Sequence, residues 1–145
     1  MGLSLNEQVK FIKVKDHSTA DTTDVNSDTV DLQASGGWDG AMFLTSYGTA
    51  AANNLMHCET SDDDSSWNDL AGGEIDLGGA SDEDQWLDVY GNKERYIRVV
   101  AQRGTSSTLE SVWAILYRGR SLPYSNLTIG TICGKALVSP AEGTK

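Results

Sequence analysis

Residues 108–119, TLESVWAILYRG, alternate with a period of two. Val112, Ala114 and Leu116 fall on one side, and Trp113, Ile115 and Tyr117 on the other. Side chains of a strand leave opposite faces in turn, so this run predicts a long β-strand. The same rhythm recurs along the chain. Residues 7–15, EQVKFIKVK, set Val9 and Phe11 against Ile12 and Val14. Residues 27–34 place Val30 and Leu32 together, and 54–60, NLMHCET, read as another strand. In 85–91, Trp86, Asp88 and Tyr90 oppose Leu87 and Val89. In 94–103, Ile97, Val99 and Ala101 oppose Tyr96, Arg98 and Val100. Residues 41–47, AMFLTSY, are almost wholly apolar, which predicts a central strand covered on both sides.

Between these runs lie polar, Gly-rich or Asp-rich breaks, and the 145 residues include 15 Gly and 2 Pro. Short strands punctuated by turn signals predict an all-β fold, an antiparallel β-sandwich of jelly-roll or Ig-like type. Residues 16–28 are too polar to bury and read as a loop or exposed arm, GGWDG at 36–40 as a turn, and 71–84 as loop. Residues 48–54 read as a turn or short helix, and WNDL at 67–70 as a short return strand with Trp67 packed inward. No helix of useful length and no internal repeat is expected. The predicted organisation is an N-terminal strand and polar loop over 1–28, the sandwich over 29–120 and an extended C-terminal arm over 121–145. The arm alternates small and β-branched residues without a core of its own.

A formal net charge of −10 argues against a nucleic-acid partner, because phosphate binders collect Lys and Arg. Lys93, Arg95 and Arg98 do cluster, and they are expected to form ion pairs, with Asp88 and Glu94 as the local acids. No apolar run is long enough to span a bilayer as a helix, so no membrane partner is expected. Residues 1–10 show no basic segment leading into an apolar one, so no secretory signal is expected, and Asn6 spoils a lipidation motif. Cys58 and Cys133 lie far apart without metal-ligand spacing; they read as reduced thiols, at least one of them buried, with a disulfide as the alternative. His17 and His57 look isolated, and Cys58 points away from His57, so no metal site is expected.

The acidic stretch ETSDDDSSWNDL, 59–70, admits three readings. Asp62, Asp64 and Ser66 alternate like calcium ligands, but the glycine and distal Glu of an EF-hand are missing. Ser61, Asp63, Ser65 and Trp67 approach a sialidase-type Asp-box, one residue short and in a single copy. The preferred reading is a polar hairpin turn, since Asp and Ser bond their own backbone. No elbow, zincin helix or phosphate loop is present, so no catalytic residues, no cofactor and no enzyme activity are expected. A glycan-acting enzyme with paired carboxylates is the weakest alternative. Most of the four tryptophans are expected to pack in the core; Trp38, flanked by glycines, is the candidate among them for exposure toward a partner.

Four segments taken together resemble one family: 36–70, 88–100 (DVYGNKERYIRVV), 110–126 (ESVWAILYRGRSLPYSN) and 136–145 (ALVSPAEGTK). Their order and spacing resemble the small β-sandwich decoration, or cement, proteins of tailed-bacteriophage heads, over about Val30 to Lys145. The resemblance implies a structural virion protein, assembled in the bacterial cytoplasm and placed on the outer capsid surface. It implies the major capsid protein and a homotrimer of the chain itself as partners. The alternative is a carbohydrate-binding or host-adhesion module displayed on the virion, with a host-surface glycan as partner. The partner-binding candidates are Trp38 and, along the arm, Leu122, Tyr124, Leu127, Ile129, Ile132, Leu137 and Val138.

Overall fold

The computed structural model describes residues 2–49, 54–76, 81–104, 106–124 and 126, and the backbone of 128–129 and 132–133. A single helical turn, α1 (Leu5–Gln8), leads into β1 (Val9–Lys15), β2 (Ser18–Asp21), β3 (Val25–Asn26), β4 (Val30–Asp31) and β5 (Trp38–Tyr47). Then come β6 (Leu55–Ser61), β7 (Asn68–Asp69), β8 (Ile75–Asp76), β9 (Glu83–Tyr90), β10 (Tyr96–Gln102) and β11 (Ser107–Gly119). A small hairpin, β12 (Thr128–Ile129) and β13 (Ile132–Cys133), follows.

Strands β1 to β11 form two antiparallel sheets, so the chain is a β-sandwich. The first runs β1-β11-β5-β9, with β2 extending the β1 edge along β11. The second runs β3-β10-β6-β7, with β4 also on β10 and β8 also on β6. The alternation in the sequence decides which residues meet between them. Phe43, Tyr47, Val112, Ala114 and Leu116 from the first sheet meet Met56, Cys58, Ile97, Val99 and Ala101 from the second, all buried. Burying a Phe or Leu side chain contributes roughly 1.5–3 kcal/mol, so this shared layer is the main stabilising term. Cys58 is a free thiol inside it, and burial pushes its pKa up to about 12.

Three expectations are corrected. Residues 16–28 are not simply loop: β2 and β3 lie there, carrying the chain from the first sheet to the second. An edge strand needs only one hydrogen-bonding neighbour, so polar side chains can stay in water while the backbone pairs. Arg103, itself buried, fastens this crossover by donating to the carbonyls of Thr19 (2.6 Å) and Thr23 (2.7 Å). Residues 71–84 likewise contain β8 and the start of β9. Trp38 is buried at 4 % exposure, not exposed. The turn ends before it, at Gly36 and Gly37 (φ +90 and +97), and Trp38 opens β5. Its ring lies over Gly119, where an added Cβ would come within 2.7 Å, and meets Tyr124 edge-on at 5.5 Å.

The start of the C-terminal segment is docked on the domain. Asn126, buried, accepts from the Phe11 amide (3.0 Å) and donates to the carbonyls of Asn6 (2.8 Å) and Val9 (2.6 Å). The Tyr124 amide donates to the Glu7 carbonyl (2.8 Å). One side chain thus satisfies backbone groups of α1 and of the β1 edge, which among the described residues has no second strand neighbour. We predict that Asn126→Ala lowers unfolding stability by about 2 kcal/mol, since buried backbone groups lose their partners. Chemical denaturation of the two proteins measures this.

Candidate functional site

The outer face of the first sheet carries the most unusual surface. Strand register assembles it in rows. Trp113, Leu44 and Trp86 stand side by side across β11, β5 and β9, with Lys13 at the β1 end. The next row is Phe11, Ile115, Met42 and Asp88. The third joins Tyr117, Gly40 and Tyr90. Leu44, Trp86 and Tyr90 are 38 %, 64 % and 60 % exposed. The expectation that 41–47 would be covered on both sides is therefore corrected: the outward side of β5 at Leu44 is open to solvent.

The aromatic end of this face is held rigidly. Gly40 has no side chain, and the Tyr117 ring occupies the space where a Cβ would stand. Tyr117 stacks on Tyr90 with centroids 6.4 Å apart and donates to Asp88 Oδ1 at 2.6 Å. Burial, then the Asp88 carboxylate, pushes the Tyr117 phenol up to about 12. The Arg118 guanidinium covers Tyr90 at 5.1 Å and donates to its hydroxyl at 2.7 Å. Beside the Trp113–Leu44 pair opens a cleft of about 290 Å³, also lined by Ser46, Asp84 and Ser111. The Ser46 hydroxyl donates to Asp84.

The second sheet's outer face is charged. Arg98 donates to Glu59 at 2.6 Å, and its guanidinium lies 4.2 Å from the centroid of Trp67. Arg95 pairs with Asp31 at 2.7 Å. The arginines of the basic cluster thus form ion pairs, but with acids across neighbouring strands rather than with Asp88 and Glu94. His57 is not isolated: its Nε2 is 3.5 Å from Asp69 and 4.0 Å from Glu59. Trp67 is half-buried, with its ring against Arg98 rather than in the core.

The acidic stretch is a hairpin tip. Asp63 accepts from the amides of Ser65 (2.9 Å) and Ser66 (2.7 Å) and from the Ser61 hydroxyl (3.0 Å). Asp64 sits at φ +59 and accepts from Thr29. Those backbone bonds hold the Asp63 carboxyl well below the usual aspartate range. Asp63 thus closes the turn through its own backbone, and Asp64 ties the tip to Thr29.

Among the arm candidates, Leu122 is exposed, and Tyr124 is half-buried against the core. Ile129 and Ile132 pair in the backbone of the small hairpin. Leu127, Leu137 and Val138 lie outside the described residues. Sequence reasoning did not single out Leu44, Trp86 and Tyr90; their shared parity on pairable strands was the available signal.

A pH prediction follows from Asp63. Its folded pKa is depressed, so its stabilising effect is fully present above the ordinary aspartate pKa and is lost progressively as pH falls from there through the lowered value. Protection of the Ser65 and Ser66 amides, taken as hydrogen exchange relative to the intrinsic rate at each pH, should persist below the ordinary aspartate pKa in the native protein. In Asp63→Ala that protection should be lost at every pH.

No protein-family model matches the sequence, and no curated protein matches it. Among solved structures, the chain is similar to the crystal structure of SPBc2 prophage-derived protein YomS. The TM-score is 0.50 at 9 % identity, over 80 % of this chain and 97 % of that one. At such identity the likeness is one of fold.

Proposed function

We propose that the chain is a structural protein of a tailed-phage virion, a capsid decoration (cement) protein that binds the outer surface of the head and braces neighbouring major capsid subunits. The open apolar face of the first sheet carries this reading. Leu44, Trp86 and Tyr90 would be costly to leave in water, and a partner surface would cover them. A fold like that of a prophage-derived protein supports a phage context. The charge of −10 suits a protein that meets the outside of a shell rather than packaged DNA. Many copies on a symmetric lattice gain avidity from modest single contacts.

The test is binding of the purified protein to expanded heads of the phage that encodes it, with stoichiometry counted by cryo-EM. Binding should saturate at symmetry-related positions. Replacing Trp86 and Tyr90 together by Ala should weaken it by roughly 30-fold or more, the scale of an aromatic hot spot. Unchanged saturation by the double variant would sink the reading.

A second reading, a carbohydrate-binding or host-adhesion module, is favoured by one observation. Trp86 and Tyr90 present exposed aromatic rings on a flat sheet, the surface that sugar rings stack on. Saturable binding to host cells or glycans, lost on Trp86→Ala, with no binding to heads, would select it.

A further inference from the structure

The outward face of the second sheet brings together residues that the sequence keeps apart. His57 and Glu59 are two positions apart on β6, so both leave the same face. Strand β7 sets Asp69 directly opposite Glu59. One ligand atom from each of the three lies within 4.8 Å of the others, and among the described residues this is the one such grouping. A tetrahedral ion with bonds of about 2.0–2.2 Å holds its ligand atoms roughly 3.4 Å apart. Side-chain adjustments of about an ångström therefore close the set on an ion, with no backbone movement, because opposed strand positions already place Cβ atoms about 5 Å apart.

Two further observations mark this as more than a charged surface. Glu59 is held in place: its Oε2 accepts from Arg98, which Trp67 backs, while Oε1 is left toward His57. Outer hydrogen bonds of this kind orient a metal-binding carboxylate. The His57 side chain is only 16 % exposed, and its Nε2 faces both carboxylates. A cleft of about 320 Å³ opens on His57 and Asp69, with Glu74 on its wall, and leaves room for a fourth ligand.

We propose that His57, Glu59 and Asp69 bind a divalent transition-metal ion of the zinc class, with the fourth position open to this cleft. One imidazole and two carboxylates suit such an ion, whereas calcium and magnesium prefer sites of oxygen alone. The ion would clip the two-residue strand β7 onto β6 at the base of the acidic hairpin. The proposal is independent of the capsid reading.

Isothermal titration calorimetry of the metal-stripped full chain with Zn²⁺ tests it. One equivalent should bind. Asp69→Asn, at a side chain 78 % exposed and so tolerant of change, should weaken binding at least about tenfold, as should His57→Gln. His17→Ala, at the other histidine, should bind like the native chain. Calcium in equal amount should not displace the zinc. The proposal is overturned by absence of saturable binding up to ~1 mM Zn²⁺. It is equally overturned if both Asp69→Asn and His57→Gln bind as the native chain does, or if calcium displaces the ion.

Discussion

Strand β11 is paired on both edges along its length, to β1 and β2 on one side and to β5 on the other. The rest of the first sheet depends on that. A strand paired on both edges cannot rotate its faces, so the alternation of Val112, Ala114 and Leu116 against Trp113, Ile115 and Tyr117 becomes a fixed division of the molecule. The first set meets the second sheet and closes the core. The second set must then stand outward, and register lines it up with Leu44, Trp86 and Tyr90. The open apolar face is therefore a consequence of the same pattern that makes the core. A one-residue slip of β11 would exchange the two.

Polar side chains settle what the hydrophobic pattern leaves loose. The crossover between sheets has little apolar content, and Arg103 replaces packing with bonds to carbonyls. Asn126 does the same at the β1 edge, where it stands in for a neighbouring strand. Asn54 Oδ1 accepts from the Gly104 amide and the Ser107 hydroxyl, and so ties the start of β6 to the turn before β11. Each of these sits at a join between elements. A bond to backbone fixes a join more directly than a small apolar contact, because it has a direction as well as a distance.

The strands with two apolar parities were legible in the sequence, since burial and period reinforce each other there. Face assignments in β9, β10 and β11 needed no tertiary information. What was hidden depended on neighbours. Trp38 looks exposed between glycines, yet Gly119 and Tyr124, far along the chain, make room for it and cover it. β2 carries no hydrophobic signal, because its pairing uses backbone alone. The grouping of His57, Glu59 and Asp69 was half visible: the spacing of His57 and Glu59 is in the sequence, but Asp69 joins only through the register of a two-residue strand. Local pattern predicts faces; register across strands decides which residues share a site.

The two outer faces differ in chemistry, and this bears on how the molecule would meet a partner. The first presents Leu44, Trp86 and Tyr90 to solvent, alongside Lys13, Asp84, Asp88 and Arg118. The second presents the Arg95–Asp31 and Arg98–Glu59 pairs, with Asp62, Asp63 and Asp64 at the hairpin tip beyond them. Desolvating fixed ion pairs returns little free energy, whereas covering aromatic surface returns about 25 cal/mol for each Å². A shell-bound protein of this shape therefore gains more by laying down the first sheet and leaving the second in solvent. In that orientation the acidic hairpin and the proposed metal clip face outward. There, an ion bracing β7 would stiffen an exposed hairpin without touching the outer face of the first sheet.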